Sequence, residues 1–225
     1  MKIVNILALV LLAGCSDQMG KFDGNLQEDD RNTLYAIGVE ISQQVKVLGL
    51  NEQELNAMLQ GFSDNVLKND LEVDLIVYRD KIQEWGSKRL EAAADRFNKE
   101  GQEYIAELLK EPGVIETVSG ALVKSTSEGE GENPTGSSTV KIHYHGTLVD
   151  GTVFDSSKDR GEPAEFALGG LIKCWGEGIP KIKVGGSAIL VCPPDTAYGE
   201  NGSAPVIPPN ATLIFEVELL EIVKG

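Results

Sequence analysis

With 225 residues, 41% of them hydrophobic, the chain has enough apolar material for one large or two modest cores, and its patterning favours two domains. A formal net charge of −15 with no Lys/Arg cluster excludes a phosphate-binding surface, so nucleic acid is not an expected partner. The same acidity gives no electrostatic pull towards an anionic membrane, so any membrane association has to be covalent or hydrophobic.

At the start, Lys2 precedes the apolar run Ile3 to Leu12, which closes in Leu12-Ala13-Gly14-Cys15. A charged start, a short apolar centre and a small-residue end make a secretory signal, and the run is too short for a stable transmembrane helix. The ending resembles a bacterial lipobox. That resemblance implies a signal peptide over 1–14 and acylation of Cys15 as the first mature residue. With Ser16 next to it, it also implies an outer-membrane lipoprotein facing the periplasm or the cell surface, an oxidising location. Residues 15–30 are polar and read as a flexible tether.

From Arg31 the pattern turns helical, with Leu34, Ile37, Gly38, Ile41, Val45 and Leu48 on one stripe and Gly49 as the stop. Asn51 followed by Glu54 spells a capping box that opens a second helix, whose apolar positions are Leu55, Met58, Leu59, Phe62 and Val66. Asn69 and Asp70 are expected to end it and cap the next. The third helix is predicted from about Glu72 to Lys110, about 60 Å long, closed by Pro112-Gly113. Its seam of Leu75, Tyr78, Ile82 and Trp85 thins into Arg89, Ala93, Phe97, Gly101, Tyr104 and Leu108. The charged stretch 88–103 is therefore expected to cross solvent. Three helices alone cannot bury this much stripe, so residues 31–112 are expected to form a helical homodimerisation region with a long linking helix. A monomeric hairpin folded back on the following sheet is the alternative.

Beyond Gly113 the alternation is of β type. Val114 to Lys124 reads as one lead-in strand and 125–138 as a loop. Val140, Ile142 and Tyr144 share one face of the next strand, and Lys141, His143 and His145 share the other, which predicts solvated histidines rather than metal ligands. Gly146 and Asp150-Gly151 read as turns, Val184-Gly-Gly-Ser as a connection into a strand from Ala188 to Val191, and Leu171 to Pro180 as a short helix carrying Trp175. Thr212 to Val223 closes the chain as a strand with Leu213, Phe215, Val217 and Leu219 inward. The expected class is α+β: an all-α N-terminal region, then an antiparallel half-barrel wrapped on one short helix over 113–225. Tyr144, Phe154, Phe166, Trp175, Tyr198 and Phe215 come from separate segments and converge either on a pocket or on a plain aromatic core. No Gly-x-Ser-x-Gly elbow, Walker loop or Cys/His ligand spacing is present, so no metal or other cofactor is expected.

The runs Val140-Lys-Ile-His-Tyr-His-Gly-Thr-Leu-Val-Asp-Gly-Thr-Val-Phe-Asp-Ser-Ser, Leu168-Gly-Gly-Leu-Ile-Lys-Cys-Trp-Gly-Glu-Gly, Ala197-Tyr-Gly and Ile207-Pro-Pro-Asn-Ala-Thr-Leu-Ile-Phe resemble the isomerase domain of the tacrolimus-binding (FKBP) family. Together with the helices upstream they are most similar to its bacterial Mip-like branch. The resemblance implies a peptidyl-prolyl cis-trans isomerase that assists folding of exported proteins and acts as a chaperone. Its partners would be proline-containing polypeptide clients, a second copy of the chain in an intertwined homodimer, and tacrolimus- or rapamycin-type macrolides as inhibitors. By that likeness Trp175 floors the pocket and Tyr144, Phe154, Phe166, Leu171, Ile172 and Phe215 wall it. Asp155 is the polar wall residue with Arg160 as partner, Tyr198 donates its hydroxyl to a substrate carbonyl, the Ile172 N–H binds another, and Val206 and Ile207 lie on the loop above. The contrasting reading is a module that only holds proline segments; the joint presence of Tyr198, Asp155 and Trp175 favours the enzyme. Ala164 and Ser203 stand where relatives carry a large aromatic and a histidine. The family fold also brings Cys174 near Cys192, either as a disulfide or as two buried thiols.

Overall fold

A computed structural model describes residues 26–68 and 71–223. The leader over 1–14, Cys15, most of the tether and the Asn69-Asp70 cap lie outside the described residues. Two compact units form, one up to Glu40 and one from Ile41 onward. Helix α1 (Glu28–Lys46) opens in the first unit with Glu28, Asp29 and Asp30 in its first turn, where carboxylates complement the positive end of the helix dipole. The expected tether is shorter by these residues.

In the second unit, α2 (Glu52–Ser63) begins with the capping box read from the sequence. Asn51 Oδ1 accepts from the Glu54 N–H at 3.0 Å, and Glu54 Oε2 accepts from the Asn51 N–H at 2.9 Å. One π-helical turn, Asp64–Lys68, follows. Helix α3 (Leu75–Leu108) is shorter than expected at both ends. Its N-cap is Asp74, whose side chain accepts from the Ile76 N–H at 2.8 Å, and its 34 residues span about 51 Å.

The expectation that 88–103 crosses solvent is overturned. Ala93, Phe97, Gly101 and Leu108 are buried on one seam of α3. A helix lying against a sheet needs only about one inward residue per turn, and the charged residues on its other sides stay in water. At Gly101 the helix comes close to the segment leading into β7: a Cβ there would lie 2.2 Å from Thr212 Oγ1.

Among the described residues, seven strands make one antiparallel sheet: β1 (Val114–Glu116), β2 (Leu122–Ser127), β3 (Thr139–Leu148), β4 (Val153–Ser156), β5 (Ala164–Ala167), β6 (Ser187–Cys192) and β7 (Leu213–Val223). Their order is β1-β2-β6-β7-β3-β4, with β5 also paired to β3. The single lead-in strand is in fact the β1–β2 hairpin, turning at Thr117–Gly120 with Gly120 at φ +91°. Alternation divides the apolar residues between two faces. Val123, Leu190, Leu213 and Phe215 join the main core with Ala93 and Phe97, whereas Leu122, Val191 and Ile214 pack on the opposite face with Tyr104, Ile105 and Leu108 of α3.

Two further readings change. His143 and His145 are half-buried rather than solvated, with Nδ1 of each hydrogen-bonded to a serine hydroxyl, Ser157 at 3.1 Å and Ser156 at 2.9 Å. Gly146 lies within β3 and is no turn; a Cβ there would meet the Phe154 ring at 2.7 Å. Asp150-Gly151 does turn the β3–β4 hairpin, with Gly151 at φ +82°. The one-turn helix α4 (Ser157–Arg160) follows β4, and α5 (Lys173–Gly178) lies on the main-core face with Cys174, Trp175 and Gly178 buried. Cys174 and Cys192 are joined by a disulfide, their Cα atoms 5.5 Å apart, which ties the start of α5 to the end of β6.

Candidate active site

The strands and α5 enclose a cleft of about 310 Å³, near the lower end for a ligand pocket. Its floor is Trp175, held almost fully buried by α5. Tyr144 comes from the inward face of β3, Phe166 from β5 and Phe215 from β7, and each meets the indole edge-to-face with centroids 5.2, 5.4 and 5.0 Å away. Tyr144 also packs on Phe166 at 5.9 Å and Phe154 on Phe215 at 5.4 Å. Such pairs contribute about 0.5 to 1.5 kcal/mol each beyond their burial, so the wall is rigid as well as apolar.

Phe154 and Asp155 are neighbours on β4, yet both line the cleft. The β3–β4 register shifts between Gly146 and Thr147, leaving Phe154 as an extra residue on the edge strand. A bulge re-aims side chains in this way, and the bare Gly146 gives the ring its seat.

At the rim, Tyr144, Asp155 and Arg160 form a closed polar set. The Tyr144 hydroxyl donates to Asp155 Oδ2 at 2.5 Å and accepts from Arg160 Nη2 at 2.8 Å, while Arg160 Nη1 donates to Asp155 Oδ1. Desolvation pushes the Asp155 carboxyl up, but hydrogen bonds from Tyr144 and Arg160 and the guanidinium charge outweigh it, so the group is held below the usual carboxylate range. Burial, followed by the bond to Asp155, raises the Tyr144 phenol, and the Arg160 guanidinium is raised by its bonds to Tyr144 and Asp155. The set is therefore one carboxylate, one neutral phenol and one cation at neutral pH.

All of the pocket residues expected from the sequence, Leu171, Ile172, Tyr198, Val206 and Ile207 among them, line this one cleft, and Arg160 stands behind it on Asp155. Tyr198 is 43% exposed, its ring at the cleft mouth. Ser203 lines the cleft too. Sequence reasoning missed Ser157. Its buried Oγ accepts from the Tyr144 N–H at 2.8 Å and donates to the Tyr144 carbonyl at 3.2 Å, pinning the backbone that carries the central tyrosine. The Phe-Asp-Ser-Ser run contained the signal, since a buried serine after an edge strand needs a backbone partner.

A family model described as FKBP-type peptidyl-prolyl cis-trans isomerase matches residues 130–220, and a second, the domain amino-terminal to it, matches 30–123. The chain is 37% identical over 208 residues to the FKBP-type peptidyl-prolyl cis-trans isomerase FkpA of Escherichia coli, covering 87% of this chain and 77% of that relative. The chain belongs to the FKBP-type peptidyl-prolyl cis-trans isomerase family. A probable isomerase of this family from Haemophilus influenzae is 36% identical, over 97% of this chain and 95% of its own. Among solved FKBP-type relatives, the crystal structure of FkpA from Escherichia coli superposes with a TM-score of 0.63 at 33% identity, covering 88% of this chain and 98% of that one. A peptidyl-prolyl cis-trans isomerase from Pseudomonas syringae gives 0.54 at 31%, covering 58% and 96%. The chain is an FKBP-type prolyl isomerase.

Proposed function

We propose that the aromatic cleft binds the proline ring of a polypeptide over Trp175 and lowers the barrier to rotation of the preceding amide. That barrier is about 18 to 20 kcal/mol because rotation breaks amide resonance. The twisted amide has lost charge separation that water solvates well, so a dry aromatic cleft favours it over the planar form. Asp155 presents a fixed negative charge to the carbonyl carbon as that carbon becomes ketone-like. Tyr198 donates its hydroxyl to a substrate carbonyl, the Ile172 N–H binds another, and Val206 and Ile207 close over the chain. A 10⁵-fold acceleration requires about 7 kcal/mol of such preference. The observation that carries this reading is the Tyr144–Asp155–Arg160 set at the rim of an otherwise aromatic cleft. A protease-coupled assay on a prolyl peptide tests it: acceleration abolished by tacrolimus is expected, and no acceleration by the folded protein would defeat it.

The wider role is folding and chaperoning of exported proteins by a homodimer anchored through Cys15. Exposed apolar residues on α2 and the first turns of α3 support the dimer. The Cys174–Cys192 bridge supports an oxidising compartment. Partition of the protein into detergent, lost in Cys15→Ser, tests the anchor; equal partition of the two would remove it.

A further inference from the structure

Val206 borders two spaces. On one side it lines the aromatic cleft, and on the other it lines a shallow groove of about 70 Å³ between the ends of α1 and α3's docked seam and the β3–β4 turn. A groove this small takes a side-chain tip rather than a whole small-molecule ligand, for which pockets begin near ~300 Å³. Its apolar wall includes Phe97, and two cations, Lys46 and Arg96, line it. Lys46 Nζ donates to Thr152 Oγ1 at 3.0 Å and is in no ion pair among the described residues. Arg96 lies over the Phe97 ring, 4.8 Å from its centroid, with Glu100 Oε1 at 3.9 Å from its Nε. Asp150, the carboxylate of the groove, accepts from the Thr152 N–H at 2.9 Å. With Asp150 the one carboxylate among them, the groove's lining residues carry net positive charge in a chain whose own net charge is −15.

We propose that this groove is a second subsite for the polypeptide substrate, taking an acidic side chain a few residues from the proline. The inference rests on the isomerase reading of the cleft and extends it. Continuity through Val206 supplies the path: an extended segment advances about 3.3 to 3.6 Å per residue, so a chain leaving the cleft over Val206 reaches the groove within a few residues. Lys46 and Arg96 then meet a carboxylate, while the apolar wall holds the stem of the side chain. Both cations lie upstream of residue 113, so the helical part of the chain helps choose the substrate.

The test uses the full-length chain in the prolyl-peptide assay with peptides of equal net charge, each carrying a single glutamate stepped from two to five residues on either side of the proline. The overall negative charge of the protein opposes every such peptide alike, so the position dependence isolates the groove. One position is expected to give about 2- to 5-fold higher kcat/KM, through KM, as for a partly exposed ion pair, with the difference shrinking in 1 M salt. Lys46→Gln should bring the ratio between that peptide and the others towards one, and Arg96→Glu should move the preference to the matching lysine peptide. A flat profile with isomerase activity retained overturns the subsite alone, as does a preference unmoved in both variants. No acceleration of any prolyl peptide overturns the isomerase reading and the subsite with it.

Discussion

Asp155 is a half-exposed carboxylate whose ionisation is guarded by a phenol and a guanidinium, and this makes the rim of the cleft sensitive to single substitutions. Asp155→Ala removes a charged hydrogen-bonding group worth about 1.5 to 3 kcal/mol, so kcat/KM is expected to fall roughly 10- to 100-fold with the circular dichroism unchanged. Tyr198→Phe removes one neutral bond and is expected to cost about 3- to 10-fold. Unchanged rates in both would defeat the assignment of the site. The pH dependence follows from the same set. Because the folded carboxyl titrates below its unfolded value, its contribution to stability is present above the unfolded pKa and is lost as pH falls through the folded one. Activity should therefore be level through neutral pH and decline only below the usual carboxylate range. Arg160→Gln removes one of the groups that hold Asp155 ionised, so its acid limb should shift to higher pH. A pH–rate profile of the two proteins checks this, and coincident acid limbs would show that Arg160 does not tune the carboxylate.

Helix α3 is the element whose role the sequence disguised. An alanine at Gly101 would add about 1 kcal/mol of helix propensity in isolation, but its Cβ would overlap the buried Thr212, and overpacking costs about 1 to 3 kcal/mol. Gly101→Ala is thus expected to lower stability or lift the helix from the sheet, and Phe97→Ala to destabilise by about 3 to 5 kcal/mol. Urea melts followed by circular dichroism check both; unchanged midpoints would mean that the docking contributes nothing. The contrast with the strands explains what could be read in advance. β3 and β7 were legible because period-two alternation is a strong pattern, and the Asn51–Glu54 cap because it is a local reciprocal contact. The docked seam of α3 places one small or apolar residue per turn among charges, which looks the same whether the helix faces water or a sheet. Gly146 was misread for a related reason: a glycine needed for a neighbouring ring has the same signature as one needed for a turn. The ring set could be listed from sequence, but the bond between the Tyr144 hydroxyl and Asp155 depends on the bulge that sets Phe154 aside.

For the whole molecule, the two parts of the chain differ in how well they cover their apolar residues. Strands β3, β6 and β7 and α5 bury most of theirs, whereas Leu59 and Phe62 of α2 and Leu75, Ile76 and Ile82 of α3 are all more than 45% exposed. Helical spacing alone would leave such stripes facing water, at a cost of about 25 cal/mol for each Å² of apolar surface. A second copy of the chain is the occupant we propose, because a self-complementary two-fold contact lets each stripe cover its counterpart. A stable interface of this kind removes about 1,200 to 2,000 Å² from water, and a glutamate in its apolar centre leaves an unpaired charge on both copies. The chain is therefore expected to sediment as a dimer, and the double variant Phe62→Glu, Ile82→Glu as a monomer. Neither Phe62 nor Ile82 lines the cleft, so rates on short prolyl peptides should match those of the parent. Protection of an unfolding protein should fall, since a dimer holds one client at two sites with the second contact made at high effective concentration. Analytical ultracentrifugation with an aggregation assay on the same samples decides it: a monomeric parent, or a monomeric variant that protects as well as the dimer, would separate the exposed stripes from the proposed chaperone role.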